Sequence, residues 1–360
     1  MILRRSLLIG AAALAMASGA PAAFAQEEPL KVGFIYVGPV GDFGWSYQHD
    51  QGRLALEKEF GDRVQTTYVE SVPEGPDAER VLRQLATSGH KLIFATSFGF
   101  GDATAKIAKA FPDVKFEHAT GYIRDVNLAT YSGRFEEGRY ILGVIAGKTT
   151  TSNKIGYIGA FPIPEVLRGV NAFTLGLQSV NPEATVSVVW ANTWYDPGKE
   201  ADAANAVIAQ GADVIAQHTD SPAPLQAAEN AGNVKVFGQA SDMIQFAPTA
   251  QLTAIVDDWA PYYIGRVQAV LDGTWESQDH WGGLAAGDVH MAPYTNMPDE
   301  VKALAEETQA KIASGELNIF SGPISDRDGT ERVAAGEALD DAAQLEMNWF
   351  VKGVQGDLPK

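Results

Sequence analysis

The chain has 360 residues, a formal net charge of −18 and no cysteine. Its length exceeds what one ordinary hydrophobic core organises, so we expect two lobes. The acidic surface disfavours nucleic acid and anionic lipid as partners, and the lack of cysteine excludes disulfides, thiolate metal sites and a cysteine-linked lipid anchor.

The first 25 residues have the pattern of a secretory signal peptide. Arg4 and Arg5 supply its positive end and leave a twin-arginine export route open. The apolar run 7–17 is too short to span a bilayer, and Ala23-Phe24-Ala25 is a small-residue cleavage site. We therefore expect a mature chain that begins at Gln26 and lies in the periplasm without a lipid.

From residue 31 onward, β-rich runs alternate with helical patterns. The predicted elements are strand 31–37, helix 45–60, strand 66–72, helix 77–88, strand 92–97, helix 102–111 and strand 115–120. This alternation is typical of a parallel sheet with crossover helices on both faces, an α/β architecture.

The pattern then repeats with an offset of about 120 residues. Segment 154–161 resembles 31–37, and segments 211–219 and 233–240 resemble 89–97 and 113–120. Any two buried strands share some likeness, but the shared order favours a true repeat. The sequence therefore predicts two doubly wound, Rossmann-like lobes.

Two lobes of this kind have to be joined, and three segments have the extended pattern of crossings. These segments are 127–135, 252–259 and 292–297. The expected N-terminal lobe comprises 30–130 plus 256–292, where helix 261–271 and strand 288–291 return to it. The expected C-terminal lobe comprises 131–255 plus 293–357, where helices 298–314 and 336–354 cover its sheet.

Ligands of open parallel sheets bind beyond the carboxyl ends of the strands, so two such sheets would share one cleft. Aromatic faces in the strand-end loops favour a planar ring, and carboxylates accept hydrogen bonds from its edge. Each aromatic could instead cover the core, and each aspartate could cap a helix. The candidate ligand-binding residues are Asp42, Trp45, Phe98, Phe100, Trp194, Asp196, Asp220, Asp242 and Trp259.

The sequence lacks the motifs of the common hydrolases and of phosphate-binding loops. It contains no G-x-S-x-G, no H-E-x-x-H and no G-x-x-x-x-G-K-[ST], and its six histidines form no close ligand pair. We therefore expect a binding protein that uses no cofactor and no metal, rather than an enzyme.

Three stretches resemble the basic membrane protein (BMP) family of solute-binding proteins, which includes purine nucleoside receptors. They are Gly41-Asp42-x-x-Trp45, the segment 135–143 that begins Phe-Glu-Glu-Gly, and the segment 345–356 near the C-terminus. The resemblance covers nearly all of the mature chain. It implies a type I periplasmic-binding-protein fold, a purine-like ligand, a monomer, and an ABC transporter permease as partner.

This sequence departs from the family at positions that bear on the ligand. Trp45 stands where the family has a stacking phenylalanine. Nucleoside binders typically show G-x-D where this chain has Gly238-Gln239-Ala240, and a lysine where it has Asp257 or Asp258. A pocket that has lost its sugar-directed charges gains little from a ribose.

These departures favour a free nucleobase, adenine-like, over a nucleoside. A nucleoside receptor of the same fold is the alternative. A nucleoside hydrolase, in which Asp42 and Asp196 hold a metal or activate water, is the alternative from another class.

Overall fold

The computed structural model describes residues 28–358, so the predicted signal peptide lies outside the described residues. Within the described part, the helices are too short or too polar to cross a membrane. The strands, in chain order, are β1 (Leu30–Ile35), β2 (Val64–Val69), β3 (Leu92–Ala95), β4 (Lys115–Ala119), β5 (Leu128–Gly133), β6 (Lys154–Gly159), β7 (Thr185–Trp190), β8 (Val214–His218), β9 (Lys235–Gly238), β10 (Gln251–Asp257), β11 (Asp279–Gly282), β12 (Val289–Met291), β13 (Ile324–Ser325), β14 (Glu331–Val333) and β15 (Val354–Gln355).

Five helices, which start at residues 45, 76, 101, 260 and 299, begin within one residue of their predicted starts. The helices are α1 (Trp45–Phe60), α2 (Pro76–Thr87), α3 (Gly101–Ala110), α4 (Phe135–Thr149), α5 (Pro164–Val180), α6 (Pro197–Ala209), α7 (Ala223–Ala231), α8 (Ala260–Leu271), α9 (Asp299–Ala313) and α10 (Asp341–Leu345). Helix α2 shows why these segments form helices. Pro76 occupies its first turn, and one face is a buried apolar stripe of Ala78, Val81, Leu82 and Leu85.

The strands form two large sheets with the same winding. The first has the order β11-β5-β4-β3-β1-β2, and the second has the order β12-β10-β9-β8-β6-β7-β15. Strands β1 and β6 occupy equivalent positions, each between the second and third strands of its own lobe. The predicted repeat and the two-lobed parallel α/β fold are therefore confirmed.

The chain passes between the sheets three times. It leaves the first sheet after β5, leaves the second after β10, and returns to the second between β11 and β12. Helix α8 packs against α1, as predicted for a segment that returns to the first lobe.

Two parts of the predicted crossings and coverings are wrong. Segment 288–291 does not join the first lobe, because β12 pairs antiparallel with β10 in the second sheet, with Val289 opposite Asp257. The third crossing therefore lies between β11 and β12, ahead of 292–297. Strand β12 fills the outer edge of β10, where Ala292 continues the pairing by donating to the carbonyl of Ala254 at 2.9 Å.

The predicted helix 336–354 is also wrong, since only α10 is helical within it. The Asn171 side chain on α5 donates to the carbonyl of Trp349 at 2.8 Å and accepts from the N–H of Val351 at 2.9 Å. These bonds satisfy backbone groups of residues 349–351, which are not helical. The chain then pairs as β15 with β7.

Helices α4 and α5 meet closely enough that two glycines form the contact. A Cβ atom on Gly143 would overlap the carbonyl oxygen of Phe173, and one on Gly176 would overlap that of Tyr140. We expect Gly143→Ala to lower the free energy of unfolding by about 1–3 kcal/mol, because the backbones have to separate. Urea unfolding monitored by tryptophan fluorescence measures the change.

Gly265→Ala in α8 is the matched control, because a Cβ there meets no atom within 4 Å. It should leave stability unchanged or raise it by up to about 1 kcal/mol, the usual helix preference for alanine. Equal destabilisation by both substitutions would contradict the close-packing explanation.

Candidate functional site

A partly open cavity lies between the two lobes, and the space within it, open solvent included, is about 350 Å³. Each sheet contributes to it through the loops and helix starts beyond its carboxyl strand ends, the usual place for a ligand in parallel sheets. The lining residues are Val37, Trp45, Ser97, Phe98 and Thr120 from the first lobe, and Glu165, Trp194, His218, Asp220 and Gln239 from the second.

The lobes touch across the cleft beside the cavity. Trp194 donates from its indole Nε1 to Glu74 Oε1 at 3.2 Å, and Ser241 donates to the carbonyl of Phe43. The rings of Phe43 and Phe246 meet edge to face at 4.9 Å. These contacts describe the closed form of a two-lobed clamp.

Trp45 is held firmly by the first lobe. Its Nε1 donates to the carbonyl of Thr96 at 2.6 Å, and the side chain is only 9 % exposed. His49 and Trp259 stack on each other at 4.7 Å, and both meet the Trp45 ring edge to face. The indole is therefore fixed before any ligand arrives.

Trp194 reaches the cavity from the other lobe, in the loop after β7. The Phe161 ring packs edge to face against the Trp194 ring at 5.2 Å. The backbone carbonyl of Trp194 accepts the N–H of Asp220 at 3.0 Å. Because Glu74 of the first lobe binds its Nε1, the position of this indole depends on closure. The cavity thus receives one tryptophan from each lobe.

Two carboxyl groups of the lining each have one oxygen that accepts no hydrogen bond. Asp220 is 3 % exposed, and neither its Oδ2 nor Glu165 Oε2 has a hydrogen-bond partner among the described residues. The other oxygen of Glu165 lies 3.3 Å from His218 Nε2. Burial first, then the charges of Asp42 and Glu200, raise the pKa of Asp220 well above its usual value.

His218 and Gln239 complete the polar edge. Burial lowers the pKa of His218, which keeps the ring neutral, and its Nδ1 has no partner in the described chain. Arg139 donates to the side-chain oxygen of Gln239 and to the carbonyl of Gln217. The amide nitrogen of Gln239 is therefore the group left to donate into the cavity.

Several predicted site residues have structural roles away from the cavity lining. Asp42 accepts the N–H groups of Gly44, Ser46 and Tyr47 at 2.8–3.2 Å and so fixes the start of α1. Asp196 caps α6 by accepting the N–H of Lys199 at 3.1 Å. Each bonding pattern is that of an aspartate at a helix start.

The other residues absent from the lining fall into two groups. Asp242 is exposed and accepts from Ile244 N and Gln251 Nε2. Phe100 is fully buried in the core of the first lobe, and Trp259 lies behind Trp45 in contact with it. Of the nine predicted residues, the cavity brings together Trp45, Phe98, Trp194 and Asp220.

Sequence reasoning omitted Glu165, Gln239 and His218 from the site. Glu165 lies in the first turn of α5, a few residues beyond the end of β6, and so outside the strand-end loop that the sequence singled out. His218 and Gln239 do end strands or follow them directly, and that position was the available signal.

The family model for ABC transporter substrate-binding proteins of the PnrA-like type matches residues 30–326. A purine-binding protein of Brucella abortus is 60 % identical over 334 residues, which cover 93 % of this chain and 95 % of that protein. A Haloferax volcanii protein named for ABC transporter glucose binding is 40 % identical over 335 residues, covering 93 % and 82 %.

Solved structures show the same fold. A solute-binding protein of an ABC transporter system from Aeropyrum pernix K1 has a TM-score of 0.72 at 19 % identity, covering 82 % of this chain and 94 % of that chain. The expected resemblance is thereby confirmed, since the family match spans most of the chain. The protein belongs to the Bmp family of ABC transporter substrate-binding proteins, whose role is to bind a small molecule for a membrane permease.

Proposed function

We propose that this protein is a periplasmic receptor that delivers a purine nucleobase, adenine or a close relative, to the permease of an ABC importer. The observation that carries the proposal is the cavity between the lobes, which combines an indole from each lobe with the unused acceptors of Asp220 and Glu165. Indoles stack on planar rings, and carboxylates accept from ring and exocyclic N–H groups. The Brucella relative named as purine-binding supports the same ligand class.

The surroundings of Gln239 favour a free base over a nucleoside. Nucleoside binders of the family typically carry an acid at the place of Ala240, where this chain has no polar side chain. The next residue, Ser241, is engaged with Phe43 across the cleft. Gln239 itself is tied to Arg139. The family's acid is thus absent here: Ala240 takes its place, Gln239 is bonded within the second lobe, and Ser241 is bonded across the cleft.

In this mechanism the protein forms no covalent bond to its ligand. The base enters an open cleft, and rotation about the three crossings brings the second lobe onto it. Trp45 and Trp194 cover the ring faces, while Asp220, Glu165 and Gln239 contact its edge. The closed pair of lobes then presents the surface that the permease recognises, and one chain suffices for the whole site.

The first prediction concerns stacking. Trp45→Ala and Trp194→Ala should each weaken adenine binding by roughly ten- to a hundredfold, because stacking on an aromatic side chain contributes about 1–3 kcal/mol per base. Isothermal titration calorimetry with adenine, hypoxanthine, adenosine and glucose measures the affinities. Trp190→Ala, which removes an indole outside the cavity that donates to Asp357 O, is the control and should retain wild-type affinity.

Unchanged affinity in both cavity variants would contradict the stacking arrangement. If Trp45 only covered the core, its loss would lower the melting temperature without a selective loss of binding. Tighter binding of adenosine than adenine would overturn the nucleobase assignment, and glucose binding with no purine binding would overturn the ligand class.

The second prediction concerns the ring edge. Asp220→Asn and Glu165→Gln each replace an acceptor by a group that also donates. Each should weaken adenine binding by up to about tenfold and shift the preference between adenine and hypoxanthine, since a hydrogen bond contributes about 0.5–1.5 kcal/mol. Asp242→Asn is the matched control, because Asp242 is exposed and lies outside the lining. The same change of preference in the control would exclude edge recognition by the cavity carboxylates.

The third prediction concerns pH. Burial raises the pKa of Asp42 to about 7 and raises that of Asp220 well above its usual value. The folded protein therefore keeps protons that the unfolded chain releases, and its free energy of unfolding falls as the pH rises from about 4 toward 7, by at most about 1.4 kcal/mol per pH unit for each group. Urea unfolding of the ligand-free protein across this range measures the slope.

Asp220→Asn removes one of these groups together with its repulsion of Asp42, so the slope should decrease. Asp242→Asn should retain the wild-type slope. A slope that Asp220→Asn leaves unaltered would show that the cavity carboxylates do not carry the pH dependence.

A further inference from the structure

The cavity opens on one side into a larger groove between the lobes. Phe98, Thr120 and Glu165 line both spaces, so they form the passage from one to the other. The groove has an empty volume of about 1360 Å³ and runs along the crossing strands toward α10. Its walls include Tyr122, Tyr131, Arg168, Trp281, Ala342 and Leu345.

The wall of the groove offers large apolar side chains that remain uncovered after the lobes have closed. Tyr122 is 64 % exposed and Leu345 is 46 % exposed. Phe98 lies at the passage, with its ring centroid 5.9 Å from that of Tyr122. Apolar surface that continues from a ligand cavity marks a place where more ligand can be buried.

The two cations of the groove, Arg168 and Arg124, are already paired within the protein. Arg168 Nε lies 3.1 Å from Glu136 Oε2, and its guanidinium lies over the Trp281 ring at 4.7 Å. Arg124 forms an ion pair with Asp279 at 2.9 Å. A phosphate would need an uncommitted cation, so these pairs disfavour a nucleotide in the groove.

The polar atoms of two aromatic residues of the wall, Tyr131 and Trp281, are satisfied as well. The hydroxyl of Tyr131 bonds the hydroxyl of Tyr263 at 3.0 Å, and Trp281 Nε1 donates to the carbonyl of Gly133 at 3.0 Å. These two side chains therefore have no polar group that requires a partner from the ligand. An apolar occupant would bury surface here without leaving these groups unpaired.

We propose that this groove is a second subsite, which takes an uncharged apolar or aromatic substituent carried on the edge of a purine base. The receptor then binds substituted purines as well as the free base. The inference rests on the proposed function, because the base itself occupies the neighbouring cavity. A monosubstituted exocyclic amine keeps one N–H that can donate to Glu165 or Asp220. The carboxyl groups can therefore still bind the edge of a substituted base.

Calorimetry with adenine, N6-benzyladenine and 9-benzyladenine tests this subsite, because the two analogues carry the same ring on different edges of the base. We expect the wild-type protein to bind at least one analogue with an affinity within about tenfold of that for adenine. The free energy gained by burying the benzyl group offsets the entropy lost when that group is ordered. If adenine binds and neither analogue does, the subsite is overturned and the proposed function stands. If adenine does not bind, the proposed function itself fails.

Two groove variants locate the substituent. Ala342→Trp fills the groove and Leu345→Asp makes its wall polar, and each should weaken the bound analogue by about tenfold while leaving adenine unchanged. Ala343→Trp is the matched control, because Ala343 is an exposed neighbour outside the lining. If neither groove substitution changes the affinity for the analogue, the subsite is overturned. The same holds if the control substitution lowers that affinity equally.

Discussion

The close approach of Gly44 to the backbone of Asp220 is the contact on which the site depends. A Cβ atom at residue 44 would overlap the carbonyl oxygen of Asp220, so the lobes reach this separation only with glycine there. Gly44 directly precedes Trp45, and Asp42 accepts the N–H groups of Gly44 and Ser46 on either side of it. On the other side, the N–H of Asp220 bonds the carbonyl of Trp194. One backbone contact thus fixes how far apart the two indoles and the carboxylate lie.

The sequence predicted the winding of both lobes because that winding is local and repeated. Strands β1 to β3 and β6 to β8 are each followed by a crossover helix, and the second lobe repeats the order at an offset of about 120 residues. The edges of the second sheet were not predictable in the same way. Strands β12 and β15 are two or three residues long, and their pairing with β10 and β7 depends on distant partners, including the Asn171 side chain.

For the site, the sequence located the cleft better than it selected the residues. An aspartate between a strand and a helix has the same local pattern whether it caps the helix or meets a ligand. Asp42 and Asp196 bond backbone N–H groups, whereas Asp220 leaves an oxygen unused at the cavity. The two cases differ only in the direction of the side chain, and the hydrophobic pattern of the sequence does not predict that direction.

The unused acceptors also explain why closure should depend on the ligand. In an open cleft, water can hydrate Asp220 and Glu165. Closing an empty cavity would bury both without partners, because Asp220 Oδ2 and Glu165 Oε2 accept no hydrogen bond from the described residues. An unpaired polar group in such a place costs several kcal/mol at the upper end of the usual range. A planar ligand with N–H groups removes this cost only in the closed form. Ligand binding therefore shifts the equilibrium from open toward closed lobes. The same carboxylates that recognise the base therefore oppose closure in its absence, and a permease that recognises the closed surface would distinguish loaded receptors from empty ones.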